Sequence, residues 1–251
     1  MKIVVIGGTG LIGSKLVQAL SERGHDAVAA APSTGVDTLT GAGLAEAVAG
    51  ASVVVDVSNS PALDDSAIEF FRTATTNLLA AEKDAGVGHH VALSVVGTAD
   101  LAPHSGYFQA KLVQENLIAE GPIPFSIVHA TQFFEFLNTL ADSATVGDTV
   151  VLPPKFFQPM AAADVAEGLA ITAVGDPVNR VVEIGGPDMV LLPDLIRTAL
   201  TARGDGRTVV ADPAAQYWGI DIDERTLVPG PGATLFDTRF EDWILQTAAT
   251  S

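Results

Sequence analysis

Two groups of residues in this sequence have the types and spacing that do chemistry. The first is Gly7-Gly8-Thr9-Gly10-Leu11-Ile12-Gly13, directly between the β-branched run Lys2–Ile6 and an amphipathic stretch. It reads as a strand-to-helix turn with the spacing G-x-x-G-x-x-G. Gly7 permits the tight turn, Gly10 lets the backbone approach an anionic group, and Gly13 lets the helix pack closely on the strand. The start of the helix, around Thr9, Leu11 and Ile12, then offers free N–H groups to that anion. The second group is Tyr107 and Lys111, four residues apart in a helical stretch. Residues at i and i+4 share one helix face, so the Lys111 ammonium can lie beside the Tyr107 phenol and favour its phenolate.

The elements that must position these groups can be read from hydrophobic period. Lys2–Ile6 is a strand, and a helix runs from about Leu11 to Arg23 with Ile12, Leu16, Val17 and Leu20 on one stripe and Gly24 closing it. A strand at Ala27–Ala31, a short segment at Val36–Leu39, a helix at Gly43–Ala49 and a strand at Ser52–Val57 follow. Asp64 or Asp65 caps a long helix reaching Ala85. Next come the strand His90–Val95, a polar loop to Ser105, a helix from about Tyr107 to Ala119 and the strand Phe125–Val128. With Val36–Leu39 counted, these give six parallel strands. Beyond residue 130, Pro153-Pro154, Gly185-Gly186-Pro187 and Pro229-Gly230-Pro231-Gly232 punctuate shorter elements, among them a strand at Val181–Ile184 and a helix at Pro193–Ala202.

Alternation of strand and helix predicts an α/β fold, a Rossmann-type doubly wound parallel sheet. The chain is expected to be one domain over 1–251, with a core to about residue 130 and a small substrate-covering part over about 131–251. Ligands of such sheets lie outside the carboxyl ends of the strands, so the loops after Ile6, Ala31, Val57, Val95 and Val128 should line one cleft.

Composition narrows the function. A net charge of −17 leaves no surplus of Lys and Arg for nucleic acid or an anionic membrane. No apolar run is long enough to span a bilayer. Zero cysteines exclude disulfides and thiolate chemistry and fit a cytoplasmic protein. The five histidines, His25, His89, His90, His104 and His129, lack metal-ligand spacing, so no metal is expected. The partner expected is a small-molecule substrate, and the oligomeric state is open.

The glycine spacing resembles the extended and atypical short-chain dehydrogenase/reductases. Thr75-Thr76-Asn77-Leu78-Leu79-Ala80-Ala81-Glu82 with Gly86-Val87, and His90-Val91-Ala92-Leu93-Ser94-Val95-Val96-Gly97, look like that superfamily's helix and serine-bearing strand. The NmrA-like, NAD(P)H-binding branch is the most similar. Where it often reads Arg-Pro or Arg-Ala-Thr before a phenylalanine, this chain has His129-Ala130-Thr131-Gln132-Phe133. The resemblance covers about residues 1–170 well. It implies a catalytic set of Ser94, Tyr107 and Lys111: Ser94 would hydrogen-bond a substrate carbonyl, Tyr107 act as general acid in reduction, and Lys111 also donate to the nicotinamide ribose. Ser58, after the strand ending in Asp56-Val57, would contact the cofactor.

For the cofactor, an acidic residue ending the second strand would take the ribose of NAD and an arginine the 2′-phosphate of NADP. Here Ala31-Pro32-Ser33-Thr34 stands instead, and Ser33 can donate to phosphate; the reading is NAD(P)(H) with a lean to NADP(H). Phe133, Phe134 and His129 are candidate substrate contacts, and Phe136, Phe156, Phe157, Tyr217 and Trp218 could add apolar wall or core. The function expected is an NAD(P)-dependent oxidoreductase acting on a small, mainly apolar or aromatic, quinone- or ketone-like molecule. A dinucleotide-binding redox sensor without turnover, and a tailoring enzyme of secondary metabolism with no net cofactor redox change, are the alternatives.

Overall fold

The computed structural model describes residues 1–249. The chain divides into two compact units, Met1–Ala130 with Val165–Val182, and Thr131–Asp164 with Glu183 onward. The return of Val165–Val182 to the first unit is not anticipated by a reading that assigns 131–251 to one C-terminal part.

In chain order the first unit holds β1 (Lys2–Ile6), α1 (Leu11–Glu22), β2 (Asp26–Ala30), α2 (Leu44–Val48), β3 (Val53–Asp56), α3 (Ser66–Ala85), β4 (His89–Val95), α4 (Thr98–Leu101), α5 (Gly106–Ala119) and β5 (Phe125–Ala130). The remaining elements are α6 (Leu137–Ser143), β6 (Thr145–Val146), β7 (Thr149–Leu152), β8 (Phe156–Phe157), α7 (Ala162–Val174), β9 (Val181–Gly185), β10 (Val190–Leu191), α8 (Leu192–Ala202), β11 (Thr208–Ala211), β12 (Thr234–Leu235) and α9 (Phe240–Ala249).

The central sheet is parallel and seven-stranded, in the order β12-β9-β5-β4-β3-β1-β2. β1 pairs with β2 on one side and β3 on the other, so Ile3 faces both Ala27 and Val53 in register. Strands covered on both faces need apolar residues throughout, and Ile3, Val4 and Val5 are fully buried. This is the doubly wound α/β fold expected from the alternation.

Two local readings differ. Val36–Leu39 is not a strand: Asp37 Oδ1 accepts the N–H groups of Leu39 and Thr40, and that side-chain turn displaces a ladder. The first unit therefore contributes five whole strands by residue 130. The loop before Ser105 contains α4, followed by a 3-10 turn at Ala102–His104. The cap of α3 is shared: Asp65 holds the N-cap position, while Asp64 Oδ1 accepts the Ser66 N–H at 2.9 Å.

Candidate functional site

The turn between β1 and α1 is shaped by backbone packing. Gly7 has φ +77°, and a Cβ there would lie 2.9 Å from the Ser58 nitrogen, so this turn and the exit of β3 touch. A Cβ on Gly13 would lie 2.1 Å from the Gly7 carbonyl oxygen, so only glycine lets the helix start this close. Gly10 differs: its Cβ would meet only the Gly7 oxygen, at 3.3 Å. Gly10 is also the N-cap of α1, with no side chain capping the helix. The result is an uncapped, electropositive helix start beside a glycine with open space around it, which suits a phosphate. These residues fit the pyrophosphate of a dinucleotide.

At the end of β2, Ser33 Oγ lies 3.4 Å from Thr9 Oγ1, joining that exit to the phosphate turn. Thr34 is occupied with the Ala31 backbone, accepting its N–H at 2.9 Å and donating to its carbonyl. Ser58 donates its backbone N–H to Asp56 Oδ1 at 2.9 Å.

Helix α5 carries the second group. Tyr107 sits among Phe70, Phe71 and Phe108, its ring edge-on to Phe71 at 6.4 Å and to Phe108 at 5.5 Å. Its hydroxyl donates to Asn59 Oδ1 at 3.0 Å. Burial pushes the phenol up to about 12. The expected pairing with Lys111 is not made. The Lys111 ammonium donates to the Leu93 carbonyl at 2.8 Å and to Gln114 Oε1, and lies 4.6 Å above the Phe71 ring. Burial brings Lys111 down to about 8, while Asp56 and Glu115 pull the other way. Gln114 passes the interaction on, donating to Asp56 Oδ2 at 2.9 Å.

Ser94, near the end of β4, is 2% exposed, and its hydroxyl donates to Glu115. The structure thus mounts Ser94 and Lys111 in one buried polar cluster of the first unit and gives Tyr107 a separate partner, Asn59. The sequence reading passed over Gln114 and Glu115. Their signal was helical period: Glu115 lies four residues beyond Lys111, on the face that carries Tyr107.

The expected substrate contacts divide. His129 Nε2 lies 2.9 Å from Glu115 Oε1. Phe134 is buried in an aromatic cluster with Phe240 and Trp243, at 5.3 and 5.5 Å. It also lines a cavity of about 390 Å³ within the second unit, where Met189, Leu195 and Phe240 stand beside Asp188, Arg239 and Glu241. Phe133 pairs with the half-exposed Phe136 at 5.7 Å. Of the further aromatics, Phe157 and Tyr217 are buried in the core of the second unit, while Trp218 is exposed.

Fold and turn together define a doubly wound α/β protein with a dinucleotide-type phosphate turn. Residues 3–120 match the NAD dependent epimerase/dehydratase family. No curated protein matches the chain significantly. Among solved structures the chain is similar to MoeE5 in complex with UDP-glucose and NAD, at 20% identity over 100% of both chains with a TM-score of 0.74. It is also similar to a UDP-glucose 4-epimerase of Thermus thermophilus in complex with NAD, at 16% identity over 86% of this chain and 89% of that one, TM-score 0.69. A dTDP-4-dehydrorhamnose reductase of Clostridium acetobutylicum matches at 16% identity over 99% and 93%, TM-score 0.67. At these identities the likeness is one of fold. Among the described residues no helix is long and apolar enough to cross a membrane.

Proposed function

We propose that this chain is an NAD(P)-dependent oxidoreductase of the short-chain reductase type, interconverting a hydroxyl and a carbonyl on a small, mainly apolar molecule. The observation that carries the reading is the Gly7–Gly13 turn, where an uncapped α1 start, an open Gly10 and the adjoining Ser58 backbone make a phosphate cradle. The dinucleotide would supply the hydride. Gly7, Gly10 and Gly13, with the N–H groups of Leu11 and Ile12, hold its pyrophosphate; Thr9, Ser33 and Ser58 flank it. Tyr107 keeps its proton, being raised to about 12, and delivers it to the oxygen formed in reduction. Lys111 sets the electrostatics of that end of the sheet through Gln114 and Asp56.

A preference for NADP(H) is supported by the absence of a carboxylate over Ala31–Thr34 and by Ser33 beside Thr9. Ala130-Thr131 before Phe133 supports a place near the NmrA-like branch, with His129 standing where that branch often has arginine, and the cysteine-free composition supports a cytoplasmic enzyme. For the substrate, Phe133 and Phe134 stand as contacts. Phe134, Met189, Leu195 and Phe240 in the cavity of the second unit support the apolar part of such a ligand, while Asp188, Arg239 and Glu241 line the same cavity and suit a polar part. MoeE5, of similar fold, was solved with UDP-glucose, so sugar nucleotides belong in the test.

A second reading, a dinucleotide-binding redox sensor without turnover, is favoured by one observation: the Lys111 ammonium is spent on Leu93, Gln114 and Phe71. One experiment separates the readings. NADH and NADPH binding is measured by fluorescence, and oxidation of each is followed by absorbance with quinones, ketones and dehydrated UDP-sugars as acceptors. Tight binding with turnover of a quinone or ketone supports the leading reading, binding alone supports the sensor, and turnover of a UDP-sugar only overturns the apolar substrate. Absence of binding overturns both.

A further inference from the structure

The cavity of about 390 Å³ in the second unit is lined partly by buried apolar residues and partly by exposed charged ones. Phe134, Leu195 and Phe240 are each more than nine-tenths buried. Phe134 and Phe240 meet edge-on at 5.3 Å, and Trp243 packs against both, at 5.5 and 5.8 Å, so the rings hold one another in place. Pro159 and Pro187 stand in the wall, and Gln158 Nε2 ties the two segments together by donating to the Gly186 carbonyl at 2.8 Å. A lining held in this way is formed before a ligand arrives. A space of about 150 Å³ is enough for benzene, so this one has room for a ring and a short chain. The charges are unequal. Arg239 is already neutralised, its Nη1 donating to both Asp188 oxygens at 2.8 and 2.9 Å. Glu241 has no hydrogen bond or ion pair among the described residues. Two carboxylates against one guanidinium leave the lining one net negative charge, on a chain whose own net charge is −17. Arg225, which is not part of the lining, approaches Met189 Sδ at 3.3 Å and stands next to Asp223 and Glu224 in the chain.

We propose that this cavity binds a small organic cation, a single apolar ring carrying an ammonium group on a short chain. The ring packs on Phe134, Leu195 and Phe240, where aromatic edges and faces suit another ring. The ammonium meets the Glu241 carboxylate, and aromatic rings close to a cation add to the attraction. A ligand carboxylate is selected against, because it has to displace Asp188 from Arg239 and then faces Glu241. An alcohol of the same shape gains the ring contacts alone. The inference rests on the oxidoreductase reading only for the use of the cavity as a substrate site, and on the second unit alone for its geometry.

The test uses full-length protein with methyl-labelled methionine, observed by NMR at pH 7 and low salt, with Met189→Leu assigning the Met189 signal and Met1, in the first unit, as the control. 2-Phenylethylamine should shift the Met189 methyl saturably and leave Met1 unmoved. 2-Phenylethanol should bind about three- to tenfold more weakly, the difference expected of one exposed charge pair with ring contacts, and phenylacetate more weakly still. Glu241→Gln, a change at an exposed position, should bring the amine to the affinity of the alcohol. Met189→Trp, which fills the cavity from a partly exposed position, should abolish binding of both, read from the Trp and Phe ring signals. Equal affinities for amine and alcohol, phenylacetate bound as tightly as the amine, or an amine affinity unchanged in Glu241→Gln overturns the proposal, as does a Met189 methyl that shows no saturable shift. NADH and NADPH binding, measured by fluorescence on the same samples, keeps the two readings apart. Amine binding without dinucleotide binding overturns the oxidoreductase and leaves the cation site standing; dinucleotide binding without amine binding does the reverse.

Discussion

Tyr107 gives its phenolic hydrogen to Asn59 Oδ1 at 3.0 Å, across from the exit of β3, while Lys111 on the same helix gives its hydrogens elsewhere. A tyrosine held in that way is a protonated acid whose ionisation is opposed by the ring cluster around it. The chain has two tyrosines, and burial raises both. Ultraviolet titration of the folded protein should therefore show no tyrosine ionising near pH 10, with the lower of the two steps near 12 and absent in Tyr107→Phe. A folded-state step near 10 that Tyr107→Phe removes would contradict the burial account.

Tyr107→Phe keeps the ring packing and deletes the acid. Turnover with any acceptor found for the wild type should fall by about 10²–10⁴-fold, the range for general acid–base catalysis, with NADH affinity unchanged. Equal rates for the two proteins would remove Tyr107 from the mechanism.

Substitutions in the phosphate turn should separate by position. Gly10→Val places its side chain in open space, so the protein should fold and lose dinucleotide binding. Gly13→Ala drives a methyl against the Gly7 carbonyl and should cost about 1–3 kcal/mol of stability, as overpacking does. Calorimetric binding and denaturant melts measure both, and retained affinity in Gly10→Val would defeat the turn assignment.

Lys111 links stability to pH. Its value falls from the usual lysine range to about 8 on folding, so the folded state holds the proton less well than the unfolded chain. Between pH 8 and about 10.4 the unfolded state binds more protons, and stability rises with pH there. Denaturant midpoints of the wild type relative to Lys111→Met should climb over that window; a flat difference would show that Lys111 is not held in a desolvating site.

At the opposite ends of the strands, His90 Nδ1 lies 2.8 Å from Glu82 Oε1, both groups fully buried. Burial alone would push His90 down, but the Glu82 charge and hydrogen bond outweigh it and hold it up. That stabilisation is complete below about pH 6.5 and is lost as pH rises through the raised folded value. Glu82→Gln strips a buried charge of its partner and should cost about 3–5 kcal/mol, measurable by urea unfolding at about pH 6. A loss below about 1 kcal/mol would mean the pair is not charged.

The sequence made the sheet legible where a strand is covered on both faces. Lys2–Ile6 and the apolar run around Val53–Asp56 could be nothing else, and the glycine turn was read from its place between β1 and the helix that follows it. Val36–Leu39 misled because β-branched and apolar residues there are overruled by the Asp37 side chain. Helix α7 was missed for another reason: it is apolar on nearly every side, with Ala166, Leu169, Ala170 and Ala173 all buried, so no polar face marks its period. Within the site, Ser94, Tyr107 and Lys111 stood out by type and spacing. Glu115 did not, because its partner His129 lies on a strand fourteen residues later and only the pairing of β4 with β5 brings them together.

The return of Val165–Val182 to the first unit has a consequence for dissection of the molecule. The Asn179 N–H bonds to the Phe125 carbonyl at 2.7 Å, the Ile127 N–H to the Arg180 carbonyl at 3.2 Å, and the Val178 N–H to Ser126 Oγ at 3.2 Å. A fragment ending at Ala130 would look whole by sequence, yet its β5 would become an open edge of unpaired amides and carbonyls bearing Ile127 and Val128. Such an edge recruits other chains. The N-terminal half of this protein, cut at the apparent boundary, should therefore self-associate, and should become a separable piece when the returning segment is grafted back onto it.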